Sequence, residues 1–113
     1  MKYTDFNQML QASGLPATYY SWPEDDPRNP VPDPPYIVWY LPEPANFASD
    51  DKVYNVILQL NVELYTDFKD FETELGLEQI FDAWELVWDK TESYLDDEHM
   101  YEVLYEMEVC ING

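Results

Sequence analysis

The chain has 113 residues, which is enough for one domain but too short for two ordinary cores. It carries 24 Asp and Glu residues against 5 Lys and Arg, a formal net charge of -19 at pH 7, which argues against a surface that grips nucleic-acid phosphates. Aromatic residues make up 17% of the chain, far more than in acidic disordered tails, so we expect the acidity to lie on a folded domain.

The composition also narrows the catalytic possibilities. His99 is the only histidine, which excludes two-histidine metal sites and histidine relay pairs within one chain. The three glycines are too scattered for a phosphate-binding loop, and Asp5 and Asn7 stand where a signal peptide would need an apolar core. Cys110 is the single cysteine and fits a reducing compartment. These features predict a soluble, acidic, intracellularly made protein that is not an enzyme.

The N-terminal part of the chain combines a short helix with a proline-rich segment. Residues 4–13 are predicted to form a helix that Thr4 caps at its start and Gly14 at its end. All nine prolines follow within residues 16–44, and proline lacks the donor that a central strand needs. We therefore predict an extended surface loop over about 16–35, in preference to a ligand for a proline-binding domain.

Two strands are predicted in the middle of the chain. Residues 36–41 are continuously apolar, which is typical of a strand covered on both faces. Residues 53–65 alternate strictly, so that one face consists of Val56, Leu58, Leu60, Val62 and Leu64. This second strand is long for so small a domain, which suggests that it bends or extends beyond the core of its own subunit.

Residues 68–86 have the composition of a helix that starts near Thr66 or Asp67. The apolar stripe that should pack on a sheet consists of Leu77, Ile80, Phe81 and Trp84. At ~100° per residue, the remaining large apolar residues lie on roughly the opposite side of the helix. They are Phe68, Phe71 and Leu75. Either the helix breaks near Gly76 and they pack locally, which we favour, or they form a subunit interface.

A hairpin is predicted to close the domain. Residues 87–95 and 101–109 both read as strands, joined by a turn at residues 96–100. The last strand alternates between an apolar face that begins at Tyr101 and a glutamate-rich face. The order α-β-β-α-β-β predicts a single α+β domain over residues 1–113, in which helices pack on one face of a small antiparallel-rich sheet.

No constellation of residues predicts a catalytic or metal site. Three acidic turns could each collect a hard cation such as calcium or magnesium, but none has the ligand spacing and turn glycine of an EF-hand, so solvated turn acids are favoured. They are Asp25-Asp26, Asp50-Asp51 and Asp96-Asp97-Glu98. We expect His99 to be exposed in its turn and Cys110 to be a small packed residue.

Aromatic residues outside the regular elements are the better candidates for an interface. Tryptophan and tyrosine are enriched where proteins bind one another, yet those inside strands and helix stripes are expected to pack in the core. The candidates beside the proline loop and in a polar loop are Tyr19, Tyr20, Trp22 and Phe47.

Taken together, the segments resemble a family of small phage proteins, the tail terminator (tail-completion, head–tail joining) proteins of long-tailed siphophages. The resemblance covers nearly the whole chain as a pattern of short pieces. These are Gly14-Leu15-Pro16, Pro35-Tyr36-Ile37-Val38-Trp39-Tyr40, Asn46-Phe47, Lys52-Val53-Tyr54, Val62-Glu63-Leu64-Tyr65-Thr66 and Tyr101-Glu102-Val103-Leu104-Tyr105-Glu106. The stretch after Glu-Leu-Tyr-Thr tends to be rich in lysine in that family, whereas here it is Asp67-Phe68-Lys69-Asp70.

The resemblance implies a homohexameric ring on the last ring of the tail tube. Such a ring would end tube growth and meet the head-completion or connector protein under the capsid, as part of the virion neck after synthesis in the host cytoplasm. It implies no enzyme activity, no cofactor and no membrane. Genomic DNA would pass through without specific binding if acidic residues line the lumen, and the candidate lining residues are Asp50, Asp51, Asp96, Asp97 and Glu98.

Two other classes of protein share part of this pattern. A DNA-mimic inhibitor would use its acids to imitate phosphates and so occupy a DNA-binding protein; it is the main alternative. A hydrolase with paired carboxylates has only the abundance of acids in its favour.

Overall fold

Two helices and six strands form the part of the chain that the computed structural model describes, which is residues 1–22, 31–42, 46–47 and 55–112. In chain order they are α1 (Tyr3–Gln11), β1 (Ala17–Tyr19), β2 (Tyr36–Tyr40), β3 (Asn46–Phe47), β4 (Asn55–Thr66), α2 (Phe71–Ala83), β5 (Trp88–Leu95) and β6 (Met100–Asn112). The predicted α+β class is confirmed. The predicted element order is incomplete, because it lacks β1 and β3.

The strands form one mixed sheet in the order β1-β2-β4-β6-β5, and β3 pairs with β4 as well. Only β1 and β2 run parallel. β1 lies inside the predicted proline loop, at the edge of the sheet, where the backbone N–H of Ile37 donates to the carbonyl of Pro16 at 2.8 Å. An edge position needs donors on one side only, which is how a strand forms directly after a proline.

β4 and β6 are the central pair of the sheet. They pair antiparallel without interruption, from Asn55 opposite Asn112 to Thr66 opposite Tyr101. β6 therefore runs three residues past the predicted end at residue 109. The length of β4 is matched by β6 within the same chain, so it does not require a neighbouring subunit.

Both helices pack on one face of this sheet. The predicted alternation in β4 is confirmed from Leu58 to Leu64, because its even-numbered side chains are buried. The same core contains α1 and α2 residues at the predicted positions and the odd-numbered residues of β6, which are Phe6, Met9, Leu10, Leu77, Phe81, Val103, Tyr105, Met107 and Val109. The second face of the sheet carries no helix among the described residues.

The helices begin at other residues than predicted. α1 starts at Tyr3, because the Asp5 carboxylate accepts a hydrogen bond from the backbone N–H of Lys2 at 2.7 Å, so Thr4 is not the cap. α2 starts at Phe71, because the Asp70 carboxylate accepts from the backbone N–H of Thr73 at 3.1 Å. A carboxylate at a helix start satisfies donors that have no intrahelical partner.

α2 continues through Gly76 without a break, so the interpretation favoured from the sequence is wrong. The stripe containing Leu77 and Phe81 packs on the sheet as predicted. Phe68, just before the helix, and Phe71 and Leu75 within it are instead 58%, 70% and 54% exposed.

The two described glycines should respond to alanine in opposite directions. Gly14 follows α1 with φ +75°, which favours glycine, so Gly14→Ala is expected to lower the free energy of unfolding by about 1 kcal/mol. Gly76 lies inside α2, where an added Cβ meets nothing within 4 Å, so Gly76→Ala is expected to raise it by about 0.5–1 kcal/mol. Urea unfolding of both variants would check this. Equal effects would contradict the assignment of the helix ends.

Candidate functional site

The open face of the sheet is acidic along its centre. Because side chains alternate in a strand, the odd-numbered residues of β4 and the even-numbered residues of β6 share this face. Glu63 of β4 and Glu102, Glu106 and Glu108 of β6 lie on it within two neighbouring strands. The register places Asp89 of β5 beside Glu106. Such a face repels phosphates and attracts cations.

A concave site lies at the end of this face nearest the turn between β5 and β6. Its cavity is about 230 Å³, and its lining residues are Tyr20, Ser21, Trp22, Val31, Tyr36, Val38, Glu63, Tyr65 and Glu98. We call it the acid–aromatic pocket. It joins two of the predicted interface aromatics, Tyr20 and Trp22, with one of the predicted lumen acids, Glu98.

Aromatic rings and hydrogen bonds fix the walls of the pocket. Tyr36 and Tyr65 lie opposite each other on β2 and β4, and their rings stack at 5.1 Å. Trp22 packs edge-on against Tyr36 with ring centroids 6.2 Å apart. The Tyr65 hydroxyl donates to the Glu63 carboxylate at 2.6 Å, which holds this acid against the aromatic wall.

Negative charge is crowded at this site. Burial raises the pKa of Glu102 to about 7, helped by its hydrogen bond with Glu63 and by the charges of Glu63 and Glu98. Burial and the hydrogen bond to Glu63 likewise raise the pKa of Tyr65. Near pH 7 the Glu102 carboxyl is therefore divided between its protonated and its charged form.

Replacing Glu102 with glutamine should stabilise the protein at neutral and alkaline pH but not at pH 4. A raised pKa in the folded state means that the stability contributed by this carboxyl is lost as the pH rises from about 4.5 through about 7. Glu102→Gln is expected to raise the free energy of unfolding by about 1–2 kcal/mol at pH 8 and to leave it unchanged at pH 4. Urea unfolding at both pH values measures this. The control Glu106→Gln, on the same strand and face, should change it by less than about 0.5 kcal/mol; equal effects of both variants would refute the assignment.

A second surface lies on the side of the sheet that carries the helices. Phe68, Phe71 and Leu75 form an exposed group at the start of α2, which we call the apolar cluster. Lys69 connects it to the edge of the sheet, because its Nζ lies 4.9 Å from the centroid of the Phe71 ring and also pairs with Glu92 of β5. β5 is the outer strand next to β6 and pairs on one side only among the described residues.

The remaining predicted residues lie elsewhere or outside the described ranges. Tyr19 and Tyr20 are 50% and 73% exposed, and Asp96 and Asp97 lie exposed in the turn before β6. Phe47 belongs to β3, but its side chain lies outside the described residues, as do the predicted acids Asp50-Asp51 and Asp25-Asp26. The pocket brings together Tyr20, Trp22 and Glu98, while the apolar cluster lies on the other side of the sheet.

Two further sequence expectations concern single residues. His99 is exposed in its turn, as predicted. Cys110 is exposed and not buried, because its position in β6 alternates with the buried Val109 and Ile111 and so falls on the open face.

The part of the chain that the structure describes contains no cluster of three His, Cys, Asp or Glu side chains that could hold a metal ion. None of its helices is long and apolar enough to span a membrane. Comparison with protein families, with curated proteins and with solved structures finds no match to this chain.

Proposed function

We propose that this protein is a structural virion component, a phage tail terminator. It forms a ring at the head-proximal end of the tail tube, ends tube growth and joins the tail to the head connector. The observation that carries the proposal is the apolar cluster beside the open edge of β5. Three large apolar side chains more than half exposed in one place are typical of a protein–protein interface.

The cluster and the edge strand support a repeated contact between copies. The backbone of β5 offers eight residues for pairing with a further strand. An unpaired sheet edge readily pairs with a strand of another chain. Lys69 places the apolar cluster next to that edge through its pair with Glu92. Six copies would need both apolar burial and strand pairing to associate, because each copy carries a charge of -19 and repels its neighbours.

The acidic residues of the open face and the hairpin turn are assigned to the lumen in this proposal. Glu106 and Glu108 on the sheet and Asp96 and Asp97 in the turn would repel DNA phosphates and let the genome slide through. Asp50-Asp51 stay lumen candidates on the strength of their charge alone. A ring with a basic lumen would contradict this part of the proposal.

The test is the growth of tail tubes in the presence of the protein. The tail-tube protein of the same phage is polymerised with and without it, and tube lengths and ends are scored by electron microscopy. We expect shorter tubes with one capped end. Tubes of unchanged length with bare ends would contradict the proposal. Inhibition of a DNA-binding enzyme by a monomer or dimer would favour the DNA-mimic alternative instead.

A further inference from the structure

We propose that the acid–aromatic pocket binds the cationic side chain, an arginine or lysine, that a basic loop of a partner protein presents. The pocket combines the two features that recognise such a cation, which are the faces of aromatic rings and carboxylates. It lies on the open face of the sheet, away from the apolar cluster.

The geometry of the pocket suits one long side chain. The stacked Tyr36 and Tyr65 rings and the edge-on Trp22 supply aromatic walls, and Glu63 and Glu98 supply the negative charge. The cavity of about 230 Å³ is several times the roughly 30 Å³ that a water molecule occupies in the liquid. The end of an extended cationic side chain therefore fits without rearrangement of the sheet.

The described part of the chain has no cation of its own for this pocket. No lysine or arginine is among the described residues that line it. Lys69 and Lys90 lie on the side that carries the helices, where they pair with Glu74, Glu78 and Glu92. With a net charge of -19, the protein is complementary to a partner that carries a basic surface. This complementarity is what favours a basic partner as the source of the cation.

A second feature of the pocket favours a peptide over a bare ion. The indole Nε1 of Trp22 is buried and has no hydrogen-bond acceptor among the described residues. A buried donor without an acceptor costs about 1–3 kcal/mol, and a loop that inserts a basic side chain also brings backbone carbonyls. The described acids, in contrast, do not converge as metal ligands.

The test compares two short peptides that differ in charge alone. Acetyl-Gly-Arg-Gly amide and its citrulline counterpart are titrated into the full-length protein, and the indole Nε1–H resonance of Trp22 is followed by NMR. We expect the arginine peptide to shift this resonance with a Kd of about 1 mM and the citrulline peptide to bind at least about fivefold more weakly. Equal shifts with the two peptides would overturn the proposal.

Matched variants separate the pocket from general attraction to an acidic face. Glu63→Gln and Glu98→Gln should each weaken binding of the arginine peptide by about fivefold. Glu106→Gln, on the same face but outside the pocket, should leave it within about twofold. Glu98 lies exposed in a turn, so its variant keeps the test valid if Glu63→Gln is destabilised. Equal weakening by all three variants would also overturn the proposal.

Binding should strengthen as the pH rises from 6 to 8. The titratable groups that line the pocket are Glu63 and Tyr65 of β4, Tyr36 of β2 and Glu98 of the turn. Glu102 of β6 lies next to them through its hydrogen bond with Glu63, and its pKa is about 7. We expect about threefold tighter binding at pH 8. These binding measurements do not depend on assembly of the ring. A negative result would therefore not contradict the ring proposal, and absence of a ring would not contradict the proposed binding pocket.

Discussion

Replacing Lys69 and Lys90 together with methionine is expected to lower the free energy of unfolding by about 3–5 kcal/mol at pH 7. The Glu74 side chain is only 1% exposed, and its two oxygens contact Lys69 Nζ at 2.6 Å and Lys90 Nζ at 2.7 Å. Lys90 also reaches Glu78 and so connects α2 to β5. Methionine keeps the apolar stems but leaves the buried carboxylate without a cation, and a buried unpaired charge is costly.

The loss of stability in the double lysine variant should be larger at neutral than at acidic pH. Burial by itself would raise the pKa of Glu74, but hydrogen bonds and charges from Lys69 and Lys90 outweigh burial and hold it below its ordinary value of 4.5. The stabilisation is therefore complete above about pH 4.5 and is lost as the pH falls through the lower folded-state pKa. Without the two cations the buried carboxyl protonates more readily, so the difference between wild type and variant should shrink on acidification. Urea unfolding at pH 7 and pH 4 measures both.

Two controls make the result specific to the ion pairs. Adding Glu74→Leu to the double variant should restore most of the lost stability, because a buried ion pair can be replaced by apolar groups of similar size. Lys2→Met removes a lysine whose side chain lies in the exposed start of α1 and should change stability by less than about 0.5 kcal/mol. A double variant as stable as wild type would show that the network does not hold α2 on the sheet.

Replacing Phe71 and Leu75 with serine is expected to abolish ring formation while leaving the monomer folded. Both side chains are more than half exposed, so little core packing is lost and stability should change by less than about 1 kcal/mol. In the assembled ring they would be buried, and loss of two large apolar contacts should weaken association at least about tenfold. Sedimentation velocity, with circular dichroism to check folding, measures both properties.

The matched control for this surface is Ile57→Ser. Ile57 is 62% exposed on β4, but it lies on the open face and not beside β5. Its variant should assemble like wild type. If Ile57→Ser disrupts the ring as strongly as the double variant, general loss of apolar surface would explain the result, and the apolar cluster would not be the interface.

Regular alternation was the most informative signal in this sequence. The polar and apolar positions of β4 and β6 reveal which side chains face the core, because a strand with one buried face has a strict period of two. The stripe of α2 that contains Leu77 and Phe81 was predictable for the same reason, at the helical period. The core residues could thus be predicted from the long apolar faces alone, without knowing which strands are neighbours.

Features that depend on contacts distant in sequence could not be predicted in this way. The raised pKa of Glu102 needs this residue to be near Glu63, which follows from the register of β4 and β6 and not from either strand alone. β1 has only three residues and is held by its pairing with β2. The continuity of α2 through Gly76 likewise reflects packing on the sheet, which overrides the weak helix propensity of one glycine.

The mass of the protein in solution, alone and after mixing with the tail-tube protein, tests the central proposal most directly. Six copies of 13.4 kDa should give a particle of roughly 80 kDa alone, or a heavier complex once tube protein is bound. Light scattering coupled to size-exclusion chromatography distinguishes that particle from a single chain. A mass that stays at 13.4 kDa with and without tube protein would contradict the account.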